Sequence, residues 1–427
     1  MMAKKGILAL LIACMLLGVS QFAAAGQKKL TLWSHWADEE NKKDFIASAV
    51  ELFKKDNPDF DVELVWYQKT QLITSLAAAL ESGSGPDIFY LEPKNTGYVP
   101  YVDMGIMYDI SSFVDKYIED WAIPFSKDGD MTYLLPLEAS MCMLYYNKDL
   151  LAQSNVTVPA SNSMTLEQFA EAAKKIKAAG FTPLSAGTMD RNYVAAILIE
   201  PIILRDIGLE AWQGIATGKT AWTDPGVVRS LKYIEQLFKD GAYPAGVASI
   251  KLGESHGLFF GGKYAIFPMK TFFGGRAFVP EDKGGMPANF PLGIMDLPTV
   301  EGGKGNDYNY IQIIGSFGVN AASAYPEKAA ELLAKMGSRE MADSWMANVK
   351  VQTGLKTGEL VTDDQYLMDM GKVENASTLV AGPMFLGMDN SYMDVYLQLS
   401  SALVAGQVDA DAMIAKLEEA RKKVAGK

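Results

Sequence analysis

Histidine and cysteine, which often carry nucleophilic or metal chemistry, are scarce in this sequence. The 427 residues include two histidines, His35 and His256, and two cysteines. A zinc-binding H-E-x-x-H motif needs two histidines on one helix turn, and a serine nucleophile needs a histidine base beside it. Two histidines so far apart form no such motif. We therefore predict no metal site, no cofactor and none of the familiar hydrolase mechanisms.

Carboxylates and tyrosines leave two other chemistries open. Asp and Glu together number 51, so pairs suited to glycosidic hydrolysis arise by chance, and a secreted glycosidase is a less favoured alternative. Tyr145 and Tyr146 could supply oxygen ligands to a ferric ion. Neighbouring strand residues point to opposite faces, however, so both rings can hardly face one site.

Composition and charge limit the class of protein and its partners. Hydrophobic residues make up 49% of the chain and charged residues 21%, as in globular proteins. The length favours two or three domains. The formal charge of −12 argues against nucleic acid or an anionic membrane as the main partner, because both require basic surfaces.

Residues 1–25 have the organisation of a secretory signal peptide. Two lysines precede an apolar run at 7–19, and an A-x-A site ends at Ala25. The run is shorter than the about 20 residues that span a bilayer, so we predict cleavage after Ala25 and a soluble periplasmic protein. A lipoprotein anchored at Cys14 is less favoured, because Cys14 lies inside the apolar run. Cleavage would leave Cys142 alone, so the mature fold cannot depend on an internal disulfide.

The hydrophobic pattern after the signal predicts an α/β fold. Strands are expected at 30–33, 62–66 and 87–90, with amphipathic helices between them at 45–53 and 72–80. Strand–helix–strand repeats favour a mostly parallel sheet. Helix starts are indicated further on by a capping box, by an N-cap before proline and by a first-turn proline. These helices are expected to begin at Thr165, Asp224 and Pro326, and a last helix at about Asp409.

A series of short motifs follows the mature start in a set order. They are Leu30-Thr31-Leu32-Trp33, Gly83-Ser84-Gly85-Pro86-Asp87-Ile88-Phe89, Leu135-Pro136-Leu137-Glu138, Leu144-Tyr145-Tyr146-Asn147-Lys148-Asp149-Leu150, Thr165-Leu166-Glu167-Gln168-Phe169, Thr223-Asp224-Pro225, Leu258-Phe259-Phe260-Gly261-Gly262-Lys263-Tyr264-Ala265-Ile266 and Gly318-Val319-Asn320-Ala321-Ala322-Ser323. Each motif alone is weak. In this order and spacing the set resembles the extracellular solute-binding proteins of ABC sugar importers, the group that contains maltose-binding protein.

The resemblance implies two α/β lobes joined by a hinge of crossover segments, with an interlobe ligand cleft. It places one lobe at 26–137 plus 316–360, the other at 143–310 plus 365–427, and hinge crossings near 138–142, 310–316 and 360–365. Independently, ligands of open α/β sheets bind beyond the carboxyl ends of strands, so the loops after Trp33 and Tyr90 should line the cleft.

The resemblance also implies a function. The protein would be a monomeric binding protein, not an enzyme, that captures a carbohydrate and delivers it to ABC permease subunits in the inner membrane. An oligosaccharide is the favoured ligand. Alternatives are a polyol, a sugar acid, a polyamine or a ferric ion.

A saccharide presents hydroxyls and an apolar C–H face, so its site should combine polar groups with aromatic rings. Trp33, His35 and Trp36 lie where the resemblance places the first binding loop. Trp36 is favoured over Trp33, because the strand has ended by then. The alternatives are core aromatic rings and, for His35, a structural hydrogen bond.

Three further candidates surround the third predicted strand. Asp87 matches the Pro-Asp-Ile pattern of the family, with a structural carboxylate at the strand start as the alternative. Tyr90 and Glu92 leave that strand toward the predicted mouth of the cleft. Separately, Asp190, Arg191 and Tyr193 lie in a predicted loop that resembles one contributing to the sugar site of the second lobe in relatives.

Arg191 could bind a hydroxyl pair or the carboxylate of an acidic sugar bidentately. A surface ion pair is its alternative role.

Glu138 is the sharpest single candidate, because it lies on the first predicted hinge crossing and resembles a sugar-binding glutamate of maltose-binding protein in placement. A carboxylate there could accept two hydroxyl hydrogen bonds. A hinge ion pair is the alternative.

Phe272 and Phe273 follow a predicted strand near the family's aromatic platform. Lys270-Thr271-Phe272-Phe273 stands where relatives often have Gly-Pro-Trp. Tyr392 falls near another family aromatic, with a helical core position as the alternative.

Overall fold

The computed structural model describes residues 27–91, 98–118, 127–128, 131–244, 246–355, 362–377 and 379–425. The predicted signal peptide, the candidate Glu92 and the start of the third predicted crossing at 360–361 lie outside these residues. Among the described helices, none is long and apolar enough to cross a bilayer.

The described strands form one large sheet and a short hairpin. They are β1 (Lys28–Ser34), β2 (Phe60–Trp66), β3 (Ile88–Leu91), β4 (Lys127–Asp128), β5 (Met131–Thr132), β6 (Leu134–Asn147), β7 (Thr182–Leu184), β8 (Tyr264–Lys270), β9 (Leu292–Met295), β10 (Tyr308–Val319) and β11 (Leu379–Ala381). The large sheet has the order β2-β1-β3-β10-β6-β8-β7, with β11 against β10 and β9 against β6. β4 and β5 pair separately.

The prediction of an α/β fold is confirmed, but the prediction of a mostly parallel sheet is wrong. β1 runs parallel to β2 and β3, and β7 runs parallel to β8, as strand–helix–strand units require. β10 runs antiparallel to β3 and β6, and β6 runs antiparallel to β8 and β9. The parallel prediction rested on the strand–helix–strand pattern of the first part of the chain. Strands β6 and β10 come later in the chain and lie outside that pattern.

The β6–β10 pair divides the large sheet into a first half, with β2, β1 and β3, and a second half, with β8, β7 and β9. Strands β6 and β10 belong to both halves. Residues 134–141 of β6 pair with β10, and residues 142–147 pair with β8 and β9. β10 reaches β11 at its start and β3 at its end. β6 is buried along its length except at half-buried Tyr146. This arrangement is what crossover segments require, while the lobe boundaries given above stay predictions.

Helices fill most of the remaining described chain. They are α1 (Glu40–Asp56), α2 (Lys69–Glu81), α3 (Val99–Asp103), α4 (Ser111–Ile118), α5 (Lys148–Gln153), α6 (Leu166–Ala178), α7 (Arg191–Tyr193), α8 (Glu200–Ile207), α9 (Leu209–Ala216), α10 (Pro225–Lys239), α11 (Leu252–Phe260), α12 (Gly274–Ala277), α13 (Pro326–Met336), α14 (Arg339–Val349), α15 (Gln365–Glu374), α16 (Asn390–Val404) and α17 (Ala410–Ala425). A π-helical turn, Val194–Ile199, joins α7 to α8. The predicted capping box at Thr165 and the N-cap at Asp224 are confirmed.

The segment that contains Asp190, Arg191 and Tyr193 is a helix start, so the loop prediction is wrong. The Asp190 carboxylate accepts hydrogen bonds from the backbone N–H groups of Asn192 at 2.9 Å and Tyr193 at 3.1 Å. Aspartate is among the strongest N-cap residues, because its oxygen satisfies N–H groups that the first helical turn leaves free.

Helix α12 packs so closely on the end of α14 that Gly274 has no space for a side chain. A Cβ there would overlap the carbonyl oxygen of Lys350 and lie 2.7 Å from the Tyr366 hydroxyl. We expect Gly274→Ala to lower the free energy of unfolding by about 1–3 kcal/mol, because the backbone of the neighbouring segment must move. Urea unfolding measures the change.

Gly371 is the matched control. It lies in α15, and a Cβ there would have no atom within 4 Å. Gly371→Ala should stabilise the protein by about 0.5–1 kcal/mol through helix propensity. Equal effects of the two substitutions would contradict the proposed close packing.

Candidate functional site

A buried charge cluster joins helix α1 to the crossing strand β6. Lys42 Nζ lies 2.8 Å from Glu138 Oε1 and 2.7 Å from Glu39 Oε2. Lys42 is 3% exposed and Glu138 2%. The ammonium also lies 5.0 Å from the centre of the Trp36 ring and 5.8 Å from that of Trp345, within the range of cation–π attraction.

The cluster keeps Lys42 charged. Burial acts to lower the pKa of Lys42, but Glu138 and Glu39 outweigh it and raise that pKa above its usual range. Burial likewise acts to raise the pKa of Glu39, and the Lys42 ammonium outweighs it and lowers that pKa. The sequence leaves a ligand contact and a hinge ion pair open for Glu138. In this geometry Glu138 forms the ion pair.

An aromatic group lies beyond the carboxyl end of β1. The rings of His35 and Tyr90 are 4.2 Å apart, and Trp36 packs against Tyr90 at 5.8 Å. The Tyr90 hydroxyl donates a 2.5 Å hydrogen bond to the carbonyl oxygen of Ile314 in β10. His35 is half-buried, and its Nδ1 has no partner among the described residues. Burial first, and then nearby cations, lower the pKa of His35 to about 3.

Trp36, which the sequence favours over Trp33 as the ligand contact, is the less exposed of the two rings. Trp36 is fully buried, whereas Trp33 is half-buried and faces Tyr67 with 5.1 Å between ring centres. Tyr67 follows β2, and its N–H donates to the carbonyl oxygen of Ser34 at the end of β1. Sequence reasoning missed Tyr67, although the meeting of parallel carboxyl ends could have indicated it.

Asp87 is engaged by the protein itself. One carboxylate oxygen accepts hydrogen bonds from the backbone N–H and the hydroxyl of Thr31, at 2.7 and 2.9 Å. The other accepts from the Ser323 hydroxyl at 2.5 Å. These contacts tie β1, the start of β3 and the turn after β10 together, which corresponds to the structural alternative for Asp87.

The candidates of the second half differ in accessibility. Arg191 is exposed, while Tyr193 is buried and its hydroxyl donates to the carbonyl oxygen of Pro268 at 2.8 Å. Phe272 is half-buried, and its N–H donates to Ser140 Oγ at 3.2 Å. Phe273 is fully buried with its ring 4.4 Å from that of Tyr145.

Tyr392 lies away from this group, in the core alternative that the sequence left open. It is 1% exposed in α16. Its hydroxyl accepts from Trp222 Nε1 at 2.5 Å and donates to the carbonyl oxygen of Ile215 at 3.3 Å. Tyr392 thus packs between α16, the last turn of α9 and the turn that contains Trp222.

Two polar pairs lie beside β6 and link β8 to β10 and β10 to helix α8. Lys270 Nζ donates to Gln312 Oε1 at 2.5 Å, and the Tyr310 hydroxyl donates to Glu200 Oε2 at 2.6 Å. Burial lowers the pKa of Lys270 and raises that of Glu200 to about 7. Sequence reasoning missed Gln312, although a polar residue inside an otherwise apolar strand was a visible signal.

Within the described part of the chain, no three His, Cys, Asp or Glu side chains lie close enough together to hold a metal ion. Cys142 is buried, and its Sγ donates to the carbonyl oxygen of Ala196 at 3.4 Å. Burial raises the pKa of this thiol to about 12, so the reactive thiolate is disfavoured.

Replacing Lys42 should destabilise the protein strongly. Lys42→Met leaves Glu138 buried without a counter-ion, so we expect a loss of about 3–5 kcal/mol in the free energy of unfolding. Lys43→Met is the matched control, because Lys43 pairs with Glu40 near the surface and should change stability by no more than about 0.5 kcal/mol. Similar losses for both variants in urea unfolding would contradict a structural role for the Lys42 pair.

His256 should make stability depend on pH. It is 5% exposed, and burial lowers its pKa to about 3. Below pH 6.5 His256 is protonated in the unfolded chain but stays neutral in the folded chain. Protonation therefore favours the unfolded state, and the protein loses stability as pH falls from about 6.5 towards 3.

The test compares wild type with His256→Gln by urea unfolding at pH 7 and pH 5. Relative to the variant, wild type should lose about 2 kcal/mol between these values. Glu200, whose pKa is raised, works in the opposite sense but is common to both proteins and cancels. If the stability difference between wild type and His256→Gln is the same at pH 7 and pH 5, the imidazole takes up its proton in the folded state as well.

Comparison with known proteins agrees with this architecture. The family model of bacterial extracellular solute-binding proteins matches residues 36–343. A binding protein of Brucella abortus is 23% identical over 313 residues, 72% of each chain, and the galactooligosaccharide-binding protein of Bacillus subtilis is 26% identical over 314 residues, 70% of this chain and 66% of the relative.

A solved chitin oligosaccharide binding protein superimposes with a TM-score of 0.78 at 20% identity, over 94% of this chain and 100% of that one. At this identity the likeness shows the fold, a two-lobed α/β binding-protein fold. The resemblance predicted from the ordered motifs is confirmed by a family match that spans well over half of the sequence. This chain belongs to the bacterial extracellular solute-binding proteins.

Proposed function

We propose that this protein is the substrate-binding component of an ABC importer, which captures a carbohydrate between its lobes and delivers it to membrane permease subunits. Family membership supports capture of a solute outside the cell membrane. The names of two relatives, the galactooligosaccharide-binding and chitin oligosaccharide binding proteins, support an oligosaccharide as that solute. The protein acts in the periplasm, after removal of residues 1–25, as a monomer.

The observation that carries this proposal is the pair of half-buried rings at the carboxyl ends of two neighbouring parallel strands. Trp33 and Tyr67 lie 5.1 Å apart where open α/β sheets place their ligands. Aromatic planes stack on the C–H face of a sugar ring, and His35 and Arg191 offer polar groups for its hydroxyls. The cleft would open between lobes at 26–137 plus 316–360 and 143–310 plus 365–427.

Binding without turnover fits the chemistry of the described residues. The thiol of Cys142 and the hydroxyl of Tyr193 are buried and bonded to backbone carbonyls, so neither is available as a nucleophile. Tyr145 is also buried, with its hydroxyl 3.3 Å from that of Tyr366, which does not suit the ferric-ion alternative. A released sugar should therefore be chemically identical to the sugar supplied.

A cognate saccharide should stabilise the mature protein. At about 100 times its dissociation constant, a ligand that binds the folded state alone adds about 2.7 kcal/mol to the free energy of unfolding. A thermal-shift screen of neutral and acidic mono- and oligosaccharides identifies the ligand, and titration calorimetry measures its affinity. Chromatography after long incubation should recover the sugar intact, and cleaved products would contradict a binding role.

Paired variants test where it binds. Tyr67→Ala removes one ring of the proposed platform and should weaken binding by about 1 kcal/mol or more. Tyr264→Ala is the control, because half-buried Tyr264 begins β8, at the strand end away from the proposed site. If both variants bind like wild type, the platform lies elsewhere. If no saccharide in the screen binds, the proposed ligand class is wrong.

A further inference from the structure

The carboxylates around the crossing strands already have protein donors. The Lys42 ammonium forms ion pairs with both Glu39 and Glu138. Asp190 accepts from two N–H groups of its own helix, and Glu200 accepts from one tyrosine hydroxyl and two backbone N–H groups. Acceptors in this region are therefore largely used within the protein.

Hydrogen-bond donors are in surplus on the same strands. The Lys270 ammonium has three N–H donors, and among the described residues its one hydrogen-bond acceptor is Gln312 Oε1. It also lies 5.9 Å from the centre of the Tyr310 ring, and no carboxylate of these residues is within ion-pair distance. Among the described residues, the amide Nε2 of Gln312 has no hydrogen-bond acceptor. Lys270 is 4% exposed, and a buried ammonium without an adjacent counter-ion is costly.

The sheet register brings these donors to one face of β6. Lys270 lies opposite Cys142, and Gln312 lies opposite Ser140. Directly opposed residues share a face, and Ser140 and Cys142 are two positions apart, so all four side chains lie on the same side of the sheet.

Helical segments from the two halves contact both ends of that face. Lys42 of α1 bonds Glu138 at one end, and the carbonyl of Ala196 in the π-helical turn receives the Cys142 thiol at the other. Gln312, between these ends, is half-buried. The Lys270–Gln312 pair therefore lies where the floor of the proposed cleft would be.

Two exposed guanidinium groups lie on the short helices α7 and α12. Arg191 is the first residue of α7, directly after the N-cap Asp190. Arg276 lies on α12 of the second half, next to Gly275, where an added Cβ would be 3.8 Å from Glu39 Oε2 of the first half. Neither arginine has an ion pair among the described residues.

We propose that the solute is an acidic saccharide, a uronate-containing oligomer, whose carboxylate is bound by the Lys270 ammonium and the Gln312 amide. This inference rests on the proposed function and names the class of carbohydrate. A carboxylate supplies the acceptors and the countercharge that the floor lacks, and charge-assisted hydrogen bonds are about twice as strong as neutral ones. Hydroxyls of a neutral sugar would leave the buried ammonium without a counter-ion.

The test uses ligands that differ in charge but hardly in shape. Oligomers of galacturonate, glucuronate and mannuronate, and the methyl ester of each, are titrated calorimetrically into the mature protein beside neutral oligosaccharides. We expect one uronate to bind about 10- to 100-fold more tightly than its methyl ester. Lys270→Met should remove that preference, whereas the exposed control Lys263→Met should retain it.

Each outcome decides the proposal. If a neutral oligosaccharide or the ester binds as tightly as the acid, the acidic ligand is excluded while sugar capture stands. If none of these saccharides binds, both proposals fail. If Lys270→Met does not fold, judged by circular dichroism, Gln312→Leu replaces it and should also reduce the preference of wild type for acid over ester.

Discussion

The antiparallel pairing of β6 with β10 is the constraint on which the rest of the molecule depends. Both strands pair on either side of their shared segment, so the two halves of the sheet share one backbone ladder. Buried backbone groups must be hydrogen-bonded, and this ladder satisfies them through the middle of the sheet. Side chains on its central residues therefore have fixed positions relative to both halves, which makes these residues suited to contact a solute held between lobes.

Buried charges along this ladder are each compensated in a different way. Glu138 has an ammonium at 2.8 Å, Glu200 has a tyrosine hydroxyl and two backbone donors, and Lys270 has a neutral amide. A buried ion pair gives little net stability, but loss of one partner is expensive. The Lys42–Glu138 pair thus fixes helix α1 on the crossing strand. Burial lowers the pKa of Lys270, whose hydrogen-bond partner is neutral, so the carboxylate of the proposed ligand would supply the countercharge that the protein does not.

Sequence patterns predicted which segments form helices and strands better than they predicted which side chains are accessible. The 3.6-residue period identified the buried face of α1, and Lys42 lies on that same face four residues before Ile46, yet a period cannot tell what packs against it. Trp36 was expected to contact ligand because the strand had ended, but the chain turns there into the core beside Trp345. Such contacts between distant segments leave no local pattern to read.

An irregularity in the ladder sets the aromatic side of the proposed site. The register of β10 against β6 shifts on both sides of Gly315, which lies opposite Glu138, and residue 314 is left without a ladder partner. A Cβ on Gly315 would lie 2.9 Å from the Tyr90 ring, so glycine permits the close approach. The carbonyl that the bulge leaves free, that of Ile314, accepts the Tyr90 hydroxyl, which holds the ring against His35. The bulge thus both breaks the ladder and positions a wall of the site, as β-bulges near binding sites often do.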